Sequence, residues 1–405
     1  MPPAKGGGME ITMRLFENKK KCFGCGACAN ICPKNAIFMM PDEQGFLYPK
    51  INEELCVNCN LCKMSCQIQN EDEAKNDRAV KCYGFKNEDI IRMKSSSGGA
   101  YTAISDKILF QGGACYGSVF TDSNDVIFQK ARTKWERDLF LGSKYVQSDI
   151  KNSYFDIGME LKNQERVLFT GTPCQVAGLK QFLKAKKISM EHLITVDLLC
   201  HGVPSPKLWK DYIRFLEKKN KGKVMGYSFR DKEHGWSGYH IKVEYDNGLV
   251  ECDSREDLIF TSLFSMDLTL RPTCYKCPYS CKERCGDITI GDYWGIYQVD
   301  QDFADEKGIS LIIVNNKKGN QVMKDVLDNP LYTWKEYPYN YVSQPNLAYP
   351  TLKNLVTDLF WRQYRKKGFL WIAQKYGGYN NSFINRMERS IVFRIHLWRN
   401  KRRKK

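Results

Sequence analysis

The sequence predicts a mixed α/β protein in two parts: a small, cysteine-dense α+β domain, then a larger α/β domain with a mixed sheet and a helical, basic C-terminus. Three observations predict it. Eight of the 17 cysteines fall within residues 22–66, in two copies of one spacing. From Val80 onward, strand-like and helix-like stretches alternate. Residues 386–405 hold nine Lys/Arg against only Glu388. At 405 residues the chain is too long for the small domain alone and long enough for a sizeable second core. The expected boundaries are a disordered leader at 1–13, the small domain at 14–70, a linker at 71–80, the large domain at 81–345 and a helical extension with a basic tail at 346–405.

The leader MPPAKGGGMEITM lacks the charged-then-apolar layout of a secretory signal. No apolar run approaches the roughly 18 residues that span a bilayer. The expected location is the cytoplasm, with the inner face of the membrane open to the basic tail. In a reducing cytosol close cysteine spacings point to metal or redox chemistry rather than disulfides. The formal charge of +16 raises nucleic-acid or membrane binding. No nucleic-acid module is present, the surplus is concentrated in the tail, and clusters held by thiolates would cancel a share of it, so nucleic acid is not an expected partner.

The small domain comes first in the chain. Cys22, Cys25, Cys28 and Cys32 follow C-x2-C-x2-C-x3-C and precede Pro33, and Cys56, Cys59, Cys62 and Cys66 repeat the spacing 34 residues on, with Gln67 in place of proline. A tight loop brings three thiolates to one cubane, and the fourth cysteine reaches the other cluster. The expected ligand sets are Cys22, Cys25, Cys28 and Cys66 for one 4Fe-4S cluster, and Cys56, Cys59, Cys62 and Cys32 for the second. Zinc also takes C-x2-C, but two complete ladders in tandem argue for a two-cluster ferredoxin domain.

In the large domain, Ser95–Gly99 leads into AYTAISDKILF, a helix that stops at Gly112-Gly113. RVLFT (166–170) reads as a buried strand, followed by GTPC and the helix QVAGLKQFLKAK. LITVDLL (193–199) is a second buried strand, followed by CHGVPS and the helix PKLWKDYIRFLEKK, with Ser205 as N-cap, Pro206 as first helical residue and Leu208, Tyr212 and Phe215 on one face. Strand–helix–strand–helix at this spacing means parallel strands joined by a crossover. YHIKVEYDNGLVEC reads as a hairpin turning at Asn247-Gly248.

Parallel neighbours would put Cys174 and Cys200 together at the carboxyl edge of the sheet, where open α/β folds place their sites. Cys274 and Cys277 in RPTCYKCPY complete a set of four for a third 4Fe-4S cluster. Cys281 and Cys285 extend the local run, which leaves a self-contained zinc site as a competitor. Cys82, Cys115 and Cys252 fall outside any pattern and read as buried structural cysteines.

Clusters pass single electrons, and a flavin converts them to the two-electron steps of organic chemistry. Ser95, Ser96, Ser97, Gly98 and Gly99, before a helix, form a candidate anion cradle, and Gly171 and Thr172 could line the same pocket. A serine-capped helix start and a plain strand–helix turn are the bland alternatives. No G-x-G-x-x-G follows a strand, so a nicotinamide-binding domain is not supported.

Together KSSSGGAYTAIS, GTPCQVAGLKQFL, LLCHGVPSPKLW, FRDKEHGWSGYH and RPTCYKCPY…GDITIGDYWGI resemble the coenzyme F420 hydrogenase/dehydrogenase beta-subunit family, with a ferredoxin fused at the N-terminus. The resemblance covers about residues 14–345. It implies an FAD-containing α/β domain with its own 4Fe-4S cluster at Cys174, Cys200, Cys274 and Cys277. The FRDK…GW variant looks most like bacterial members associated with surface polysaccharide synthesis.

The expected function is an oxidoreductase. Electrons would come from reduced ferredoxin or a similar low-potential donor, pass the clusters and FAD, and reach a small organic acceptor. The alternative is an electron-transfer beta subunit of a larger hydrogenase or dehydrogenase complex, acting on a deazaflavin. His201 and His234 are the candidate proton donors, against the simpler role of loop hydrogen bonding. Arg230 and Asp231 fit either an internal ion pair or an anion site. Ile384, Met387, Ile391, Ile395 and Trp398 make a helical stripe among arginines, which fits either a helix packed on the domain or one lying on an anionic membrane. A homo-oligomer is compatible with these features.

Overall fold

The computed structural model describes Leu15, residues 18–70, 81–342, 344–380 and 382–403. The expected leader at 1–13 and linker at 71–80 lie outside the described residues. Strands in chain order are β1 (Ile37–Pro41), β2 (Leu47–Ile51), β3 (Lys81–Lys86), β4 (Ala114–Phe120), β5 (Val126–Ala131), β6 (Val167–Gly171) and β7 (Leu193–Leu198). They continue with β8 (Val224–Asp231), β9 (His240–Tyr245), β10 (Val250–Cys252), β11 (Ile288–Asp292), β12 (Ser310–Val314) and β13 (Thr333–Glu336).

Eight strands form one mixed sheet in the order β13-β3-β12-β11-β7-β6-β4-β5. Its centre, β4-β6-β7-β11, is parallel, and β5 on one side and β12, β3 and β13 on the other pair antiparallel. Strands β6 and β7 are buried almost end to end, because helices cover both faces and period-two alternation has no solvent side to serve. The helix Pro173–Ala185 joins them and starts on a capping box, with the Thr172 side chain on the Gln175 backbone and the Gln175 side chain on the Thr172 N–H.

The helix Pro206–Asn220 starts as expected: the Leu208 N–H donates to Ser205 Oγ at 3.1 Å, and Pro206 opens the helix. It does not return to the large sheet. It packs instead in a separate core with the antiparallel β8-β9-β10 sheet, helix Leu258–Ser265 and helix Thr357–Lys367. Its apolar face (Leu208, Trp209, Tyr212, Leu216) is fully buried there. The hairpin turn has Gly248 at φ +81, a conformation that costs a residue with a Cβ.

The ferredoxin segment is not a separate bead. Phe23, Ala27, Ile31 and Ile37 share one core with Tyr154, Val176, Leu179 and Phe182 of the large part. Helix Pro173–Ala185 is thus covered on one side by the sheet and on another by the ferredoxin loops.

Candidate functional site

The cysteines sort into groups by position. In the first ladder the Cys25 thiol is pushed up to about 12 by burial, with the neighbouring thiolates of Cys66 and Cys22 adding to it. Burial likewise raises Cys28, with Cys25, Cys22, Cys66 and Cys62 around it. Cys22, Cys25, Cys28 and Cys66 therefore form one group, with the fourth member drawn from the other ladder. Cys32, Cys56, Cys59 and Cys62 line a second small cavity. A third group is Cys174, Cys200, Cys274 and Cys277. Burial is the largest cause raising the Cys174 thiol, and Cys277, Cys200 and Cys274 raise it further. The Cys274 thiol rises to about 12, through burial first and then the charge of Cys277. Four convergent, half-buried thiols whose thiolate forms are disfavoured are costly as thiolates without a positive partner, which is the demand an iron–sulfur cluster would meet. The residues present fit that group.

Cys281 and Cys285 stand apart from the third group. Cys285 is buried and donates to the Pro173 carbonyl at 3.1 Å, while the Cys281 Sγ donates to the carbonyls of Pro278 and Glu283 at 3.2 and 3.0 Å. The loop that carries them is fixed by Arg284, which pairs with buried Asp197 at 2.9 Å. Cys82 and Cys115 are buried as expected. Cys252 is exposed, contrary to the expectation of a buried cysteine, because β10 is the edge strand of the small sheet.

Groups one and three are stitched together by residues that spacing does not single out. Gln67 is 1% exposed. Its Nε2 donates to the Cys174 carbonyl at 2.7 Å, and its Oε1 accepts from Tyr279 Oη at 2.7 Å. Gly178 lets helix Pro173–Ala185 close on the first ladder, since a Cβ there would stand 2.9 Å from Cys25 Sγ. Arg271, wholly buried, donates to the carbonyls of Cys22 (2.8 Å) and Leu47 (3.0 Å) and to Gln147 Oε1 (2.9 Å), with its guanidinium over the Tyr48 ring. The signals for these were a departure from the usual proline at 67, a glycine on a helix and an arginine beside Pro272. Each is readable only once the partner surface is known.

Beyond the third group lies a cavity of about 690 Å³ at the carboxyl ends of the parallel strands. Cys200 is in its wall, so the third group borders it directly. Ser95, Ser96, Ser97, Gly99, Gly171 and Thr172 line it, while Gly98 packs behind, where a Cβ would meet the Phe85 carbonyl at 2.1 Å. The serine hydroxyls brace the loop: Ser95 donates to the Ile91 carbonyl at 2.8 Å, Ser97 to the Ile309 carbonyl at 2.6 Å, and Ser96 accepts from the Ser143 N–H at 2.7 Å. The anion-binding capacity of the cradle is therefore in its backbone. Gly99 caps helix Ala100–Phe110 at φ +81 with no side-chain bond of its own, and although the Ala100 N–H donates to Ser310 Oγ at 3.4 Å, the next first-turn N–H groups are left for another acceptor.

Lys144, also in the wall, donates to the carbonyls of Phe140, Leu141 and Gly142, at 3.2, 3.0 and 3.1 Å. Burial pushes its amine down to about 7. The buried hydroxyl of Thr170 in the same wall has no hydrogen-bond partner among the described residues. A half-buried lysine and an unpaired hydroxyl, in the cavity that the helix start also lines, suit an anionic, phosphate-bearing cofactor.

His201 lines the cavity, and its Nε2 donates to Asp267 Oδ1 at 2.5 Å. His396, on the last helix, donates to the other oxygen at 2.7 Å. Burial alone would raise the Asp267 carboxyl, but these two hydrogen bonds outweigh it and hold it below the usual carboxylate range. His234 is exposed and lies outside the cavity wall. Arg230 pairs with Asp292 at 3.0 Å rather than with Asp231, and its guanidinium lies 4.9 Å from both the Tyr239 and the Trp294 ring, which stack on each other at 6.0 Å. Arg230, Asp292, Tyr239 and Trp294 all line the cavity.

Comparison with known proteins agrees with both parts. Residues 164–338 match the family described as the C-terminal part of the beta subunit in coenzyme F420 hydrogenase/dehydrogenase, and residues 21–70 match a 4Fe-4S dicluster domain. An uncharacterized ferredoxin of Methanocaldococcus jannaschii is 34% identical over 56 residues, 14% of this chain and 71% of that protein. A second, uncharacterized protein of the same organism is 21% identical over 371 residues, 80% of this chain and 93% of that one. A chain of the F420-reducing [NiFe] hydrogenase complex from Methanosarcina barkeri aligns at 16% identity with a TM-score of 0.45, covering 76% of this chain and 96% of that one. The chain is an electron-transfer iron–sulfur protein related to the coenzyme F420 hydrogenase/dehydrogenase beta subunit, whose family it matches over residues 164–338, with a 4Fe-4S dicluster domain at residues 21–70.

Proposed function

We propose that the chain works as the electron-transferring, cofactor-bearing subunit of a redox enzyme, joining a low-potential donor at the ferredoxin surface to a flavin, FAD, in the large cavity. The observation that carries this reading is the order of the three thiol groups. The group containing exposed Cys59 is outermost, the Cys22 group is packed against helix Pro173–Ala185, and the third group borders the cavity through Cys200. Bound there, clusters move single electrons and a flavin exchanges one or two with an organic partner.

The chain's own residues would hold and shield these groups. Gln67 and Arg271 fix the inner ladder on the large part. The N-terminus of helix Ala100–Phe110 and Lys144 receive phosphate. His201, oriented by Asp267, stands in the wall as a proton-holding group. Arg230, beside the stacked rings of Tyr239 and Trp294, gives the wall a cationic aromatic face suited to an anionic or ring-bearing acceptor such as a deazaflavin. A self-contained reductase serving surface polysaccharide metabolism uses the same site. It is favoured by the presence of electron-input cysteines and cavity in one chain, and differs in needing no partner protein.

Anaerobic purification with iron, sulfide and flavin analysis tests the reading. About twelve irons and one flavin per chain are expected from three cubanes and one cofactor. Cys174→Ser should lower iron to about eight while Cys281→Ser leaves it unchanged, on four irons per cluster. Eight irons with zinc in the wild-type protein would remove the third cluster, and absence of flavin would remove the cofactor. Turnover by the purified chain alone, with reduced ferredoxin and an acceptor, separates the self-contained enzyme from the subunit.

A further inference from the structure

We propose that the C-terminal helix Phe383–Arg403 docks the protein on an anionic phospholipid surface, lying in the plane of the interface. The helix is 21 residues long, and among its described residues only His396 is buried. One face sits on the body: His396 bonds Asp267 at 2.7 Å, Arg399 donates to the Lys353 carbonyl at 3.3 Å, and Arg403 donates to the Pro350 carbonyl at 2.9 Å. Ile384, Met387, Ile391, Ile395 and Trp398 recur at intervals of three and four and so share another face. That stripe lies roughly 140° round the helix from His396, at 3.6 residues per turn. Its five side chains are 44–66% exposed. An apolar stripe directed away from the body gains nothing from the fold.

Charge identifies what covers it. The helix carries Arg386, Arg389, Arg394, Arg399, Lys401, Arg402 and Arg403 against the single acid Glu388. Arg394 and Lys401 flank the stripe, and the Arg402 guanidinium lies 4.0 Å over the Trp398 ring at its end. A self-paired copy of this face would bring two cationic rims together, whereas anionic headgroups neutralise them while acyl chains take up the isoleucines. Tryptophan at the end of the stripe suits the headgroup boundary. No described helix is long and apolar enough to cross a membrane, so the fit is to lying on one.

The test is anaerobic co-sedimentation of the full, cluster-loaded chain with phosphatidylcholine vesicles, with or without phosphatidylglycerol at about one third of the lipid. Binding to the anionic vesicles should be at least about tenfold tighter than to the neutral ones and should weaken with salt. Ile391→Asp with Ile395→Asp, and separately Arg394→Glu with Lys401→Glu, should each weaken it about tenfold. Iron content and melting temperature should hold, since these side chains are exposed. No binding to anionic vesicles, or equal binding to both kinds, overturns the proposal. So does a wild-type dimer in sedimentation velocity that the Ile391→Asp, Ile395→Asp variant abolishes, which would give the stripe to a second copy.

Discussion

The two cysteine ladders share a spacing and differ in almost everything around it. Offset by 34 residues, Phe23 aligns with Val57, Gly24 with Asn58, Gly26 with Asn60 and Pro33 with Gln67. Gly24 and Gly26 hold φ +67 and +74, and Asn58 and Asn60 hold +53 and +61, so both loops use the left-handed backbone that turns three closely spaced thiols towards one point. At position 24 the inner loop can only be glycine, because a Cβ there would stand 2.8 Å from Arg271 Nη1 and 2.9 Å from the Leu47 carbonyl. The outer loop faces solvent and tolerates asparagine. Phe23 is buried against Tyr279, whereas Val57 is 57% exposed. Chemistry fixed the cysteines; docking against the large part fixed the residues between them.

Breaking the inner contact should therefore cost far more than the same change in the outer loop. Phe23→Ala should destabilise by about 3–5 kcal/mol, against under about 0.5 kcal/mol for Val57→Ala, read by anaerobic denaturant unfolding. Equal losses would mean that both loops are docked alike. Gly24→Ala should cost about 2–4 kcal/mol from left-handed strain plus overlap with Arg271, while Asn58→Gly should change stability by less than about 0.5 kcal/mol. Gln67→Leu leaves the Cys174 carbonyl and the Tyr279 hydroxyl without their partner and should cost about 1–3 kcal/mol. It should also alter magnetic coupling between the first and third clusters in the electron paramagnetic spectrum, a readout that simple loss of packing would not move. The smallest effect is kinetic. Under a chelator with mild oxidant, about four irons, those of the group holding exposed Cys59, should leave before the rest. Simultaneous loss of all iron would show that the outer group is no less protected than the inner ones.

The lysine in the cavity ties the comparison to function. Lys144 is half-buried without a carboxylate partner among the described residues, and its amine falls to about 7. A phosphate-bearing cofactor would supply the missing charge, as an iron–sulfur cluster would for the thiols. The two sites thus show opposite forms of one condition, an ionisable group drawn partly out of water whose charged form a bound group of opposite charge would stabilise.

Sequence alone determined the features set by short-range chemistry. The ladders announce themselves, because a cubane takes three thiolates from one tight loop and its fourth from the other ladder. The β6–helix–β7 unit was legible because buried strands, capping boxes and N-terminal prolines are local signals. From that unit came the placement of Cys174 and Cys200 at one sheet edge, and Cys274 and Cys277 join them there. Tertiary structure decided the rest. Helix Pro206–Asn220 has an ordinary apolar face, and nothing within it says that the face turns to the small sheet rather than the large one. The serines of the Ser95–Gly99 cradle looked like phosphate ligands, yet their hydroxyls brace the loop. His201 and His234 are equivalent as sequence, and only the fold sets one beside Asp267 in the cavity and the other in solvent. Gln67 and Arg271 act through partners up to 249 residues away, and Lys144 through the walls of a cavity drawn from the whole large part. Such roles depend on burial and on which carbonyls are left to satisfy, quantities that exist only after the chain has packed.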